Sequence, residues 1–183
     1  MYNLPEKWFF LKDLEKKSLN ALKKIDSNVG VIFLNKDYSN SIPSFKEKSL
    51  FKFCKLNNIN YLINGSIEIA IRLRANGVFR QINFLKKKKI NKKLILATAV
   101  HNRIEIIESN SKNIDLVFLS PAFFTNTHKK ARPLNPLRFV NLSKLIKCSV
   151  YALGGITEKN FKKLKCDKLR GFGGISYFKE NIF

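Results

Sequence analysis

Histidine, cysteine and acidic side chains are scarce in this sequence. Its 183 residues include two histidines and three cysteines, and Cys54, Cys148 and Cys166 show no Cys-x-x-Cys spacing. Structural zinc sites use clustered Cys and His ligands, so a zinc site here would need an unusual ligand set. An odd number of scattered cysteines also argues against a disulfide framework and is typical of reduced, mostly buried thiols in a cytoplasmic protein.

Long apolar runs are absent as well. No run approaches the roughly 18 residues of a membrane-spanning helix, and the start Met-Tyr-Asn-Leu-Pro-Glu lacks a charged segment followed by an apolar one. We therefore expect a cytoplasmic protein with no membrane partner. With 45% hydrophobic residues, the chain can bury one sizeable core, which predicts a compact single domain over residues 1–183.

Negative charge is the third deficit. Thirteen Asp and Glu stand against 35 Lys and Arg, for a net charge of +22. A basic surface can bind nucleic acid, but the densest lysine run, Lys86–Lys89, has no interleaved aromatic residues to stack on bases. We expect no nucleic-acid partner, and two explanations stay open: the Lys, Asn and Ile bias of an A+T-rich genome, and anionic small substrates.

Eight short apolar segments alternate with helical patterns, and no hairpin signal joins them. Alternation of this kind predicts βαβ units in a parallel sheet, and the count favours a closed (β/α)8 TIM barrel over an open doubly wound sheet. Such barrels typically have about 250 residues, so this one would be short. The predicted strands are residues 8–11, 29–34, 60–63, 78–79, 94–100, 116–119, 149–153 and 169–174.

Two of the intervening helices can be placed by their end signals. Ser41-Ile-Pro43 predicts a helix start, since proline is tolerated in a first turn, and Asn76-Gly77 predicts the end of the next helix. The buried face of the first of these helices is expected to consist of Phe45, Leu50, Phe53 and Leu56.

Polar and glycine-rich loops follow the last three predicted strands. Ser-Pro-Ala-Phe-Phe-Thr-Asn-Thr-His covers 120–128, Gly154-Gly155 follows the seventh strand, and Gly173-Gly174 ends the eighth. In parallel α/β folds, ligands bind at the carboxyl ends of strands, where backbone N–H groups point outward. One glycine pair alone is as well explained by a tight turn, but two pairs at successive strand ends favour phosphate binding.

These segments resemble the thiamine phosphate synthase and thiazole tautomerase superfamily. The resemblance lies in 120–128, Ala152–Ile156 and Gly171–Ser176, in the family's order and spacing, and extends back through 98–101 and 62–64 to Lys36. It is strongest to the subset that is fused to Nudix hydrolases. The resemblance implies a barrel that couples hydroxymethylpyrimidine diphosphate to thiazole phosphate with loss of pyrophosphate, in thiamine biosynthesis or salvage.

The resemblance also assigns residues to roles. Thr127, His128 and Lys129 form the catalytic set, with His128 as a general acid/base or a diphosphate donor. Simpler readings are a loop-capping role for the threonines, an exposed loop histidine, and Asn64 as the cap of the helix that begins near Ser66. The residues expected to bind substrate or phosphate are Lys36, Asn64, Thr125, Thr127, Gly154, Gly155, Ile175 and Ser176.

The sequence departs from the family at its metal site. Mg²⁺ is the implied cofactor, but the family's Asn-Asp pair reads Asn64-Gly65, so one carboxylate is missing. Asn83, which has an amide, is the nearest candidate for the position of the second carboxylate. We therefore predict no metal ligands. The tautomerase's catalytic histidine falls on Pro121. Two readings follow: a thiamine phosphate synthase-like transferase, and a tautomerase-like or non-catalytic binder of thiamine intermediates. A homodimer is left open.

Overall fold

A computed structural model describes residues 4–85, 94–125, 132–164 and 166–180. Its parallel strands are hydrogen-bonded in chain order and close into a barrel, so the predicted (β/α)8 TIM barrel is confirmed. The strands are β1 (Lys7–Leu11), β2 (Val29–Phe33), β3 (Tyr61–Ile63), β4 (Gly77–Phe79), β5 (Ile95–Val100), β6 (Leu116–Leu119), β7 (Ser149–Leu153) and β8 (Leu169–Gly174).

The helices begin where polar residues cap them. A side-chain oxygen of Ser44, Ser66, Asn102, Asn135 or Thr157 accepts a hydrogen bond from a first-turn N–H of the helix that follows it. The described helices are α1 (Lys16–Lys24), α2 (Phe45–Leu56), α3 (Ile67–Arg72), α4 (Arg103–Ser111), α5 (Pro136–Leu145), α6 (Glu158–Phe161) and α7 (Ser176–Glu180), and a short 3-10 helix (Ile82–Phe84) follows β4. Among the helices in these ranges, none has the length and apolar character needed to cross a bilayer.

The described residues divide into two compact units, with 4–79, 94–95 and 175–180 in one and 80–85, 96–125, 132–164 and 166–174 in the other. In the first unit, Phe51 packs edge-on against Phe33, with 4.9 Å between ring centroids, and stacks on Tyr61 at 5.4 Å. In the second unit, Phe118 and Tyr151 are fully buried neighbours with centroids 5.5 Å apart. Strands this apolar are typical of parallel sheets covered on both faces. The single domain over 1–183 stays a prediction.

The three cysteines carry no disulfide. Cys54 is buried, and Cys148 and Cys166 are partly buried. Burial raises the pKa of the Cys54 thiol to about 12, so this side chain behaves as a small apolar group within the core.

The prediction of which residues form the buried face of α2 is wrong. Phe45 and Leu56 are 88% and 72% exposed, and the residues that face inward are Glu47, Phe51 and Cys54. The helix begins at Phe45 after the cap residue Ser44, and not at Ser41–Pro43. These three residues share one face because positions four and seven residues apart lie on the same side of a helix. Burial of the charged Glu47 side chain is tolerated because hydrogen bonds satisfy its carboxylate.

The reading of Asn76-Gly77 as a helix end is also wrong, because α3 ends at Arg72 and Gly77 begins β4. A Cβ atom added to Gly77 would lie only 1.9 Å from the Ile95 carbonyl oxygen. Glycine is therefore needed for the close approach of two backbones. Asn76 contributes to the same junction, since its Oδ1 accepts a hydrogen bond of 2.9 Å from the Tyr61 N–H.

Candidate functional site

Two glycines with left-handed backbones follow β7. The φ angles of Gly154 and Gly155 are +95° and +63°, a region that residues with a side chain rarely adopt. A Cβ atom on Gly155 would lie 2.0 Å from the carbonyl oxygen of Phe124. We call Gly154 and Gly155 the β7 glycine turn; both its conformation and the approach of the loop after β6 require glycine.

Backbone hydrogen bonds fix the orientation of this turn. The Ala122 N–H donates to the Leu153 carbonyl at 2.8 Å, and the Phe123 N–H donates to the Gly154 carbonyl at 3.0 Å. The side-chain amide of Asn160 donates to the Gly155 carbonyl at 2.7 Å. Within the described ranges, the N–H groups of the two glycines donate no hydrogen bond. The turn therefore directs its carbonyls to donors of the protein, and its two N–H groups have no acceptor in the described part of the chain.

The second glycine pair lies beside the first. Leu153, the last residue of β7, pairs with Gly173 in the ladder to β8. Gly173 is buried and Gly174 is partly exposed. The two glycine pairs thus stand at the carboxyl ends of neighbouring strands, where the sequence pattern placed them. Ile175 and Ser176 follow directly in the chain, with Ser176 as the first residue of α7, and their ligand contacts stay predictions.

The loop after β6 is held by a histidine. His101 Nδ1 lies 2.9 Å from the Ser120 carbonyl oxygen, and because a carbonyl only accepts hydrogen bonds, Nδ1 is the donor. His101 is thereby a structural residue of this loop. Thr125 is partly exposed and is the last described residue before the gap at 126–131. Thr127, His128 and Lys129 lie outside the described residues, so their catalytic roles stay predictions.

A buried carboxylate organises the residues that follow β2. Glu47 Oε2 forms a 2.7 Å ion pair with Lys36 Nζ, and the side chains are 3% and 29% exposed. The same oxygen accepts the Ser44 N–H at 2.7 Å and the Ser44 hydroxyl at 2.8 Å. Oε1 accepts from the Tyr38 hydroxyl at 2.8 Å and the Asn35 amide at 2.5 Å. We call these five residues the Glu47 cluster.

The electrostatics of the cluster keep Glu47 ionised. Burial acts to raise its pKa, but hydrogen bonds from Lys36, Ser44 and Tyr38 outweigh it and lower the pKa from 4.5 to about 2. Burial, and after it the hydrogen bond to Glu47, raises the pKa of Tyr38, so its hydroxyl remains a donor. Sequence reasoning missed Glu47, although Ser44-x-x-Glu47 is the pattern of a capping box, which the structure forms.

Asn64, at the end of β3, belongs to the same unit. Its side-chain amide donates to the Lys36 carbonyl at 3.3 Å, and its own carbonyl accepts the Tyr38 N–H at 2.7 Å. The reading of Asn64 as a helix cap is wrong, because Ser66 caps α3. Asn64 instead ties the end of β3 to the loop after β2, and its contact with a substrate stays a prediction.

The donor set at the end of β3 does not fit the Mg²⁺ site that the resemblance implies. Mg²⁺ in phosphate sites is held through one or two carboxylates, and here Asn64 is followed by Gly65. A Cβ atom on Gly65 would lie 3.1 Å from Tyr38 Cβ, so a side chain at this position would press on Tyr38. In the part of the chain that the structure describes, no group of three His, Cys, Asp or Glu residues could hold a metal ion.

The pKa of Glu47 predicts acid sensitivity. Because the folded pKa lies below the ordinary value, the ionised carboxylate stabilises the fold fully above pH 4.5, and this contribution is lost as the pH falls towards 2. Urea titrations between pH 7 and pH 2 should show a loss on the order of 2 kcal/mol that Glu47→Gln removes. The exposed Glu180→Gln is the control and should keep the wild-type profile; an unchanged profile in Glu47→Gln contradicts the assignment.

The sequence is similar to those of known proteins. It is 31% identical over 122 residues to a protein named thiamine-phosphate synthase 2 from Aquifex aeolicus, an alignment covering 65% of this chain and 66% of that protein. It is 29% identical over 118 residues to the thiamine-phosphate synthase of Prochlorococcus marinus strain MED4, covering 62% of this chain and 34% of that protein. The matched region thus spans less than two thirds of the first relative and about a third of the second.

A solved structure shares the fold. Thiamine phosphate pyrophosphorylase from Pyrococcus furiosus superposes with a TM-score of 0.70 at 17% identity, over 97% of this chain and 92% of that one. Similarity to the Nudix-fused subset stays a prediction. The sequence profile described as thiamine monophosphate synthase matches residues 17–178. This chain belongs to the thiamine monophosphate synthase family.

Proposed function

We propose that this protein is a thiamine phosphate synthase-like transferase of thiamine biosynthesis or salvage. In the proposed reaction, the nitrogen of thiazole phosphate forms a bond to the methylene carbon of hydroxymethylpyrimidine diphosphate, the carbon–oxygen bond to the diphosphate breaks, and pyrophosphate leaves. Membership of the family supports the reaction type. The observation that carries the proposal is the β7 glycine turn.

The turn is suited to the phosphate of the thiazole substrate. Two N–H groups that donate to nothing else in the described protein stand at the end of a parallel strand, next to a second glycine pair. Backbone N–H donors bind phosphate without a counter-charge, and glycine lets the phosphate approach the backbone closely. We assign the thiazole phosphate to Gly154 and Gly155, and phosphate binding by Ile175 and Ser176 stays a prediction from the resemblance.

The remaining predicted residues are proposed to bind the pyrimidine diphosphate. Lys36 and Asn64 would face this substrate, and Thr125, Thr127, His128 and Lys129 would donate to its diphosphate. Negative charge grows on the leaving pyrophosphate as the carbon–oxygen bond breaks, so donors directed at it lower the barrier. Lysine and hydroxyl donors take this role in the proposal, because the carboxylates of a Mg²⁺ site are missing.

The activity can be tested with the purified protein. Incubation with hydroxymethylpyrimidine diphosphate and thiazole phosphate, with Mg²⁺ added, should yield thiamine phosphate and pyrophosphate in equal amounts. Thr127→Ala should lower kcat about tenfold or more, since a lost transition-state donor has effects of this order. Thr127→Ser keeps the hydroxyl and should stay close to wild type. Absence of product with enzyme equimolar to substrate would rule out the transferase.

A second candidate is a non-catalytic or tautomerase-like binder of thiamine intermediates, and the lack of a carboxylate at Gly65, where a side chain would press on Tyr38, favours it. Calorimetry with thiazole phosphate, in Mg²⁺ and in EDTA, separates the two together with the product assay. Equal affinity in both solutions and no product support the binder. Affinity that EDTA lowers more than tenfold contradicts it, because the described site offers no carboxylate set for the metal.

We place this activity in the cytoplasm. The three free cysteines suit a reducing compartment. The proposed partners are phosphorylated pyrimidine and thiazole molecules, and not a nucleic acid. A homodimer stays a prediction.

A further inference from the structure

We propose that Glu47 is a positioning residue, which holds the Lys36 ammonium so that its one remaining N–H meets the anionic group of the pyrimidine substrate. The identity of that substrate rests on the proposed function. The positioning itself rests on contacts within one compact unit of the chain.

The ammonium of Lys36 is held but not saturated. An ammonium has three N–H donors. One donates to Glu47 Oε2 at 2.7 Å and one to the Ile42 carbonyl at 3.1 Å. The charge also lies 5.2 Å from the centroid of the Tyr38 ring. No further hydrogen bond or ion pair of the Lys36 ammonium occurs among the described residues, and the side chain is 29% exposed, so one donor remains accessible to a ligand.

Glu47 is a rigid anchor for this ammonium. Besides Lys36, its carboxylate accepts hydrogen bonds from Asn35, Tyr38 and both donors of Ser44. Its backbone lies in the first turn of α2, which the capping box fixes. Rotation of the carboxylate would break several of these bonds at once. The anchor therefore holds Lys36 in one place relative to the strand end.

The arrangement of charge favours an anion outside the cluster. Glu47 is 3% exposed and Lys36 is 29% exposed, so the ion pair is a dipole with its positive end towards solvent. The negative end is surrounded by donors inside the protein. A surface lysine loses about 2 kcal/mol of rotamer entropy when it is immobilised, and here that loss precedes ligand binding. Preorganisation of this kind raises affinity without adding a contact.

A purely structural role for Glu47 is the alternative, because the same carboxylate caps α2. The experiment must therefore separate loss of stability from loss of positioning. Glu47→Gln keeps the size of the side chain and removes its charge, and Lys36→Met removes the ammonium. Asn135→Ala provides the stability control, since it removes the N-cap of α5 at a cost of about 1 kcal/mol without touching the cluster.

The test is a double-mutant cycle on affinity for hydroxymethylpyrimidine diphosphate, measured by calorimetry at neutral pH. Glu47→Gln and Lys36→Met should each raise Kd about tenfold, and the double variant should bind no more weakly than Lys36→Met alone. Asn135→Ala should lower Tm and leave Kd within twofold. Lys36→Arg keeps the charge but moves the donors, so it should also weaken binding. This variant replaces Glu47→Gln as the test of positioning if Glu47→Gln does not fold.

The remaining outcomes of the experiment contradict either the positioning role or the proposed function. Wild-type affinity in Glu47→Gln, additive losses in the double variant, or wild-type affinity in Lys36→Arg would overturn the positioning role while the proposed function stands. Failure of the wild-type protein to bind the diphosphate would overturn the proposed function, and this inference with it.

Discussion

Backbone hydrogen bonds between the loop after β6 and the β7 glycine turn are the constraint on which the proposed site depends. The Ala122 N–H donates a hydrogen bond to the Leu153 carbonyl, and the Phe123 N–H donates to the Gly154 carbonyl. A peptide group that directs its carbonyl inward directs its N–H the other way, so these bonds leave the amides of the turn facing outward. Positive φ angles favour glycine at both positions, and the 2.0 Å approach of the Phe124 carbonyl oxygen excludes a side chain at Gly155. The proposed phosphate site is thus a backbone site, and the Asn160 side chain holds its second carbonyl.

The Glu47 cluster solves a different problem with side chains. A buried carboxylate is costly unless hydrogen bonds and an opposite charge compensate it, and Lys36, Tyr38 and Ser44 supply both. In return the carboxylate fixes a lysine at the end of β2. Since Gly65 offers no carboxylate for a metal ion, we propose that cationic side chains such as Lys36 serve as counter-charges for a diphosphate.

The sequence predicts strands such as β2, β5 and β6 well because they are apolar runs that are buried along almost their whole length. It predicts the glycine turn after β7 because two successive glycines at a strand end are typical of a tight turn. It fails where tertiary contacts override local preference. Apolar spacing places Phe45 inside and Glu47 outside, whereas the cap at Ser44 sets the true start of α2 and reverses both. Gly77 reads as a helix end because nothing local reveals that the Ile95 backbone approaches it. The glycine pairs were found by their place at successive strand ends and Lys36 by the resemblance, but the carboxylate that holds Lys36 was not found.

The central claim is that the two amides of the β7 glycine turn bind the phosphate of the ligand. A nitrogen-15 NMR titration with thiazole phosphate tests it most directly, because it observes those amides one by one. The account predicts saturable shifts of the Gly154 and Gly155 signals, while the buried Gly171 within β8 stays in place. Saturable binding that leaves both turn glycines unshifted would contradict it.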